Sequence, residues 1–302
     1  MSDDGEFADS LQSSLDTVST GLAVRHVRDA SSARAELLAA GDEIRCVVLT
    51  TPLPSDDGLS VVRHVRQYDS TLPVVVAAEE QAFVRDAVDA GATDYFIRGR
   101  DESLDWLAFR VQKAIEDRRV EQSNRARLEQ QRVVSEVGAQ ALTTVELDRV
   151  LQLAASRVGD VLGADSVSIL ERGDEPGTFR VAAATGWAAT YVNQHIDADE
   201  MTQSMQTFQR GQALVVDDFE TDDRFDHSED FASAGFRSGM SAPVGGDASR
   251  WGIIGAHGVE PGQFTSEDVL FLKNIAAVVA AAAERSELRN ALSEVLGRLD
   301  EA

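Results

Sequence analysis

The stretch from Leu214 to Asp268 decides how this chain is read: LVVDDFETDDRFDHSEDFASAGFRSGMSAPVGGDASRWGIIGAHGVEPGQFTSED. It opens with the apolar run Leu214-Val215-Val216, which ends on the acidic pair Asp217-Asp218. A polar loop carrying Arg224 and Phe225 follows, then a short amphipathic segment from Phe231 to Phe236. Arg237 to Val244 (RSGMSAPV) and the glycine-broken Trp251 to His257 (WGIIGAH) read as two strands. Phe264-Thr265-Ser266-Glu267-Asp268 opens a long helix.

The flanks extend this pattern. Upstream, Val145 to Leu162 has the helical stripe Leu147, Val150, Leu151, Ala154 and Val158, and Gly163 ends it. Ser166 to Glu171 and Phe179 to Ala184 read as paired strands around the turn Asp174-Glu175-Pro176-Gly177. Met201 to Arg210 reads as a helix with Met205 and Phe208 inward, closed by Gly211. Downstream, Val269, Leu272, Ile275, Val278 and Val279 lead into an alanine run through Ala283. That helix extends along Leu288, Leu292, Val295 and Leu299.

The acidic pair with Arg224-Phe225, the GFRS–M–PV strand (Gly235 to Val244), the WGIIGAH strand and the FTSED helix start together resemble the GAF domain. GAF domains are small-molecule or signalling modules of sensory proteins. The resemblance covers residues 146–287 and implies an α+β domain with an antiparallel sheet. It also places any ligand between that sheet and the loop Asp217 to Phe236. The implied wall residues are Trp187, Phe208, Phe225, Phe231, Phe236, Ser238 and Met240, and for each aromatic hydrophobic core is the more common role.

The chemistry of known GAF variants does not transfer to these residues. Methionine-sulfoxide-reducing and bilin-binding GAF domains need cysteines inside the domain, whereas the one cysteine, Cys46, lies outside it. The nearest match to a cyclic-nucleotide motif is Phe264 with Glu267 and Asp268, with no lysine or asparagine beside them. His195, His227 and His257 lack metal-ligand spacing, and His257 in its apolar strand reads as a core histidine. Gly245-Gly246 joins two strands and starts no helix, so it is no phosphate loop. The expectation is a protein that is not an enzyme. It has no catalytic residue, no metal site and no defined cofactor, and leaves room for one unidentified small-molecule ligand.

Residues 19–118 alternate apolar strands with amphipathic helices. Strands are expected at Leu22 to Val27, Arg45 to Leu49, Pro73 to Val76 and Tyr95 to Ile97. Helices are expected at Ala30 to Ala40, Gly58 to Tyr68, Gln81 to Ala90 and from Leu104 onward. This order argues for an α/β parallel sheet covered on both faces. VVLTTPLPSDDGL (Val47 to Leu59), LPVVVAA (Leu72 to Ala78) and AGATDYFIRG (Ala90 to Gly99) resemble the flavodoxin-like receiver domain of response regulators. A receiver carries a phosphoacceptor aspartate after its third strand. Here that position falls on Thr50, whose hydroxyl forms no acyl phosphate. The hydroxyl position falls on Ala78 and the lysine position on Arg98. Nothing before Leu22 reads as an apolar strand ending in two acids, so the Mg²⁺-holding pair of a receiver is missing. The resemblance therefore implies a degenerate receiver, with phosphorylation at Asp56 or Asp57 as the alternative.

Residues 1–18 read as an acidic leader, with a helix from Phe7 to Val18 that places Leu11, Leu15 and Val18 on one face. Residues 119–145 read as a helical linker, since no proline or glycine interrupts Leu104 to Val137. Between Glu116 and Gln131 only Val120, Ala126 and Leu128 are apolar. Such a helix is expected to pair with its copy in a homodimeric coiled coil. Residues 288–302 extend the last helix.

At 302 residues the chain suits about two domains. Its formal charge is −24 and it has two lysines, Lys113 and Lys273. That surface disfavours nucleic acid and anionic membranes, and it suits a halophilic cytoplasm. No run reaches the ~20 apolar residues of a membrane span, and the acidic start lacks the features of a signal peptide. The order receiver-like unit, helix, GAF is similar to the front half of haloarchaeal sensor histidine kinases. No histidine follows Ala283 and no ATP-binding boxes appear, so the expected role is signal transduction with a histidine kinase or another signalling protein as partner.

Overall fold

The computed structural model describes residues 4–19, 21–51, 58–98, 103–197, 202–226, 231, 233–246 and 250–300. The chain divides into two compact units, Met1–Arg125 and Ala126–Ala302.

In the first unit, strands β1 (Val47–Thr50), β2 (Val74–Ala78) and β3 (Asp94–Ile97) form a parallel sheet in the order β1-β2-β3. Val47 lies opposite Val74, and Val75 opposite Asp94. Every residue of the central strand is buried, as a parallel strand covered on both faces requires. The period-two alternation then sorts its side chains. Val74, Val76 and Ala78 pack with Leu37, Val62, Val65 and Val84. These come from helices α2 (Ala30–Ala40), α3 (Leu59–Tyr68) and α4 (Gln81–Asp89). Val75 and Ala77 face the other way, against Leu11 and Leu15 of α1 (Asp4–Val18) and Leu107 and Val111 of α5 (Leu104–Thr143). The acidic N-terminal segment thus contains a helix whose apolar stripe is part of this core. Helix α2 starts where the Asp29 side chain accepts the Ser32 N–H at 2.8 Å.

Leu22 to Val27 alternates like a strand but forms none. Two of its backbone groups bond a side chain instead: Gln12 Nε2 donates to the Leu22 carbonyl at 2.9 Å, and Gln12 Oε1 accepts from the Val24 N–H at 2.7 Å. Leu22 and Val24 still turn inward, packing against the α1–α5 cluster. The alternation is real, but the segment lies along a helix rather than along β1.

The second unit is built on a six-stranded antiparallel sheet in the order β6-β5-β4-β9-β8-β7. Its strands are β4 (Ser166–Arg172), β5 (Thr178–Gly186), β6 (His195–Asp197), β7 (Leu214–Val216), β8 (Ser238–Val244) and β9 (Gly252–Gly258). One face carries α6 (Leu147–Leu162), α8 (Ser266–Asp300) and the end of α5, through Val137, Leu151, Val158, Leu272, Ile275 and Val279. The opposite face carries the short helix α7 (Gln203–Arg210) and a 3₁₀ turn, Trp187–Tyr191. The turn into that 3₁₀ segment needs a glycine. Gly186 has φ +62°, and a Cβ there would lie 1.8 Å from the Asp165 carbonyl oxygen.

Helix α5 is continuous from Leu104 to Thr143. Its first turns are buried in the first unit and its last in the second, through Val133, Val137 and Ala141. Its polar middle exposes Val120 and Leu128. Side by side with α8, Arg127 pairs with Glu267 at 2.7 Å and Gln130 with Asp268 at 2.9 Å, while Arg285 Nη1 donates to the Leu142 carbonyl at 3.0 Å. Among the described residues, no helix is long and apolar enough to cross a membrane.

Candidate functional site

In the first unit the receiver-like positions gather at the carboxyl ends of the strands. Thr50 ends β1 opposite Ala77, Ala78 ends β2 opposite Ile97, and Arg98 follows β3. Arg98 packs against an aromatic ring. Its guanidinium lies 4.7 Å from the centroid of the Phe7 ring on α1. Asp56 and Asp57, the alternative acceptors, lie outside the described residues.

In the second unit the face of the sheet away from α6 and α8 is the richer place. Gly239 and His257 lie opposite each other on β8 and β9, and Gly255 lies opposite Ser241. These residues point away from Met240 and Ala256, their neighbours in sequence, which are fully buried beneath the helices. The two glycines leave bare backbone, and aromatic rings cover it. Phe231 stands edge-on to His257 with centroids 5.0 Å apart, and Phe236 is 5.5 Å from the same imidazole. Phe219 meets Phe231 edge-on at 5.2 Å, and Trp187 meets Phe236 edge-on at 5.8 Å. Edge-to-face packing at these distances contributes about 0.5–1.5 kcal/mol per pair beyond area burial. A Cβ on Gly239 would come within 2.7 Å of the His257 ring and 2.8 Å of the Phe219 ring.

The loop that delivers these rings is held by charge. Arg237 chelates the Asp218 carboxylate at 3.0 and 2.7 Å, and this bond holds the Asp218 carboxyl below the usual carboxylate range. The Asp218 carbonyl accepts the Thr221 and Asp222 N–H groups, turning the chain. Asp222 in turn grips Arg224, whose Nη2 donates to the Val215 carbonyl at 2.8 Å and whose guanidinium lies 4.9 Å from the Phe225 ring. Asp217 acts through its backbone, accepting the Gly262 N–H at 2.6 Å. The acidic pair and Arg224-Phe225 are therefore a device for closing the loop over the sheet.

Of the wall residues named from sequence, the structure brings together Trp187, Phe225, Phe231 and Phe236, in one cluster with Val216 and Phe219. Phe208 belongs to a neighbouring cluster, edge-on to Phe179 at 5.3 Å. Met240 faces the helical layer. Ser238 is fully buried at the strand entry, where its hydroxyl donates to the Glu260 carbonyl at 2.6 Å. Two members of the face are not singled out by sequence. Phe219 directly follows the acidic pair, and that adjacency is its available signal. His257 reads from its strand as a core histidine, and it is the residue around which the rings converge. His195 is on the edge strand β6, and His227 lies outside the described residues. Among the described residues, no group of three or more His, Cys, Asp or Glu side chains is placed to hold a metal ion.

A model of the GAF domain family matches residues 146–283. Solved structures resemble the same part of the chain. The GAF domain of a phosphoenolpyruvate-protein phosphotransferase from Coxiella burnetii is 16% identical, with a TM-score of 0.49 over 54% of this chain and 98% of that one. The free methionine-R-sulfoxide reductase from Neisseria meningitidis, solved with its substrate, is 18% identical, with a TM-score of 0.48 over 55% of this chain and 93% of that one. The chromophore-binding domain of a bacteriophytochrome from R. palustris is 18% identical, with a TM-score of 0.44 over 53% of this chain and 61% of that one. No curated protein matches the chain. With the family model falling on the segment that holds the six-stranded sheet, its helices and the aromatic loop, residues 146–283 are a GAF domain.

Proposed function

We propose that this protein is a non-enzymatic, cytoplasmic signal-transduction component. Its GAF domain senses or binds a partner, and helix α5 couples it to a receiver-like unit that is not phosphorylated. The observation that carries this reading is the aromatic face of the GAF sheet. Trp187, Phe219, Phe231 and Phe236 pack on a glycine-bared patch around His257, under a loop pinned by Asp218–Arg237. Such a face is either closed by its own rings or opened when the loop moves, and a ligand with different affinity for the two arrangements shifts their populations. Thr50, Ala78 and Arg98 at the strand ends support a receiver-like unit used for docking rather than phosphotransfer. A separate histidine kinase or other signalling protein is the partner this implies, and a homodimer is the state in which the exposed apolar residues of α5 and α8 are covered.

Native mass spectrometry of the intact chain, gently desalted from high salt, tests this directly. The expected result is a dimer, with a defined added mass if the GAF face holds a small molecule. A bare monomer would remove the dimeric signalling reading. Incubation with acetyl phosphate and Mg²⁺ tests the other half: a phosphorylated species that disappears in Asp56→Asn or Asp57→Asn would replace the docking unit with a working receiver.

A further inference from the structure

The first unit contains a cavity of about 490 Å³ that no part of the GAF reading uses. It opens where the strand expected at Leu22 to Val27 fails to join the sheet. Leu11 and Leu15 of α1, Leu37 of α2, Val61 of α3, and Val111 and Ile115 of α5 form its apolar walls. Its floor is the outer edge of β1, with Cys46, Val48 and Thr50. The direction of that edge follows from hydrogen bonding. The Val47 N–H donates to the Pro73 carbonyl and the Thr51 N–H to the Ala77 carbonyl, so these residues face β2. By alternation, Val48 and Thr50 aim their N–H and C=O groups outward, where among the described residues no strand lies beside them. Apolar walls with a few convergent backbone donors and acceptors, within the ~300–1,000 Å³ range, make up the usual composition of a small-molecule site.

The charge around the cavity narrows the ligand. Arg25 is held by Glu36 at 2.9 Å and Glu43 at 2.7 Å. Arg45 and His26 also border the cavity and are exposed. The charges of Arg25, Arg45, Glu36 and Glu43 sum to zero, with both glutamates engaged by Arg25. Arg45 and His26 stand at the exposed rim, where solvent and salt screen them, so the apolar walls rather than a fixed charge set the ligand's chemistry. Within the cavity, burial pushes the Cys46 thiol up to about 12, which keeps it protonated and the floor neutral.

We infer that this cavity binds an uncharged, largely apolar small molecule bearing a carbonyl or amide group, which completes the hydrogen bonding of the β1 edge at Val48 and Thr50. The site is separate from the GAF face and does not depend on that domain's role. Ligand occupancy there would also fix α1 and the Leu22–Val27 segment against the sheet.

Prodan, an uncharged naphthalene ketone, is a suitable probe for the intact protein, with anilinonaphthalene sulfonate as its anionic counterpart. The expected result is saturable prodan binding with blue-shifted emission, together with slowed amide exchange in peptides covering Val48 and Thr50. Val48→Phe fills the cavity from the floor and is expected to weaken binding by about tenfold or more, about 1.4 kcal/mol. Ala33→Phe fills it from α2 and serves the same purpose should Val48→Phe disturb folding, which circular dichroism reads. Prodan binding that survives both variants, or that leaves Val48 and Thr50 exchange unchanged, would overturn the site. Amides at Val48 and Thr50 already protected without probe would also overturn it, because Leu22–Val27 would then be pairing with β1. Tighter binding of the sulfonate than of prodan would overturn the assignment of an uncharged ligand.

Discussion

At the residue scale, the GAF face depends on what one glycine lacks. Gly239 has no positive φ to explain it, but its missing Cβ is the space into which the Phe219 and His257 rings settle. Gly239→Ala therefore forces two packed rings to move, and overpacking of this kind costs about 1–3 kcal/mol. Urea denaturation is expected to show that loss together with a changed near-ultraviolet dichroism of the aromatic cluster. Gly138 is the contrast. It sits inside α5, and a methyl group added there would meet nothing within 4 Å, so Gly138→Ala is expected to stabilise by up to about 1 kcal/mol through helix propensity. Equal effects at the two glycines would remove the packing role from Gly239. Much of this face is legible in the sequence as aromatic content, since Trp187, Phe225, Phe231 and Phe236 all follow from it. Met240 and Phe208 illustrate what is not legible. Which side of β8 faces the helices, and which aromatics α7 keeps for its own cluster, depend on register and on loop path rather than on residue type.

At the element scale, periodicity identifies the long helices and misjudges one extended segment. Leu104 to Thr143 forms one helix because nothing in its sequence breaks it. Leu22 to Val27 has the same alternation as a strand, yet the Leu22 carbonyl and the Val24 N–H bond Gln12, a partner that no pattern within the segment reveals. Helix α8 raises a different question. It accompanies α5 as far as Arg285, then continues to Asp300 past the end of its neighbour. Fifteen residues of helix extend about 22 Å. On this extension Leu288, Leu292 and Val295 are 66%, 60% and 53% exposed, at the four-then-three spacing of a coiled-coil seam. An apolar seam in water gains about 25 cal/mol for each Å² it covers, and in the proposed homodimer a second copy of the same helix would cover it. Leu292→Glu is expected to convert a dimer to a monomer in light scattering after size exclusion. Leu128→Glu, in the polar middle of α5, tests that helix separately. If Leu292→Glu stays dimeric while Leu128→Glu dissociates, the seam lies on α5 and not on α8.

At the scale of the whole molecule, charge sets the conditions under which either unit is stable. The fold class and the GAF segment are legible from hydrophobic patterning and from the motif at Leu214 to Asp268. The cavity is not, because it arises from a strand that fails to form. The net charge of −24 is visible in composition alone, and its consequence is energetic. Ion pairs such as Arg118–Asp69 and Arg110–Asp94 offset part of it locally, at 2.6 Å each. Their count is bounded by 28 basic residues against 52 acidic ones, so unpaired acids repel throughout the surface. Raising KCl from 0.1 M to 1 M shortens the screening length from about 10 Å to about 3 Å. That distance removes repulsion between separated surface acids while leaving contact pairs in partly buried sites less affected. Salt is therefore expected to stabilise the protein, raising the midpoint of thermal unfolding by about 2–4 °C for each kcal/mol gained. Calorimetry is the measurement, because two units need not unfold as one transition. A midpoint that falls with KCl would mean that contact ion pairs dominate over long-range repulsion. Unfolding that is insensitive to salt would mean that the acids are spaced widely enough not to matter.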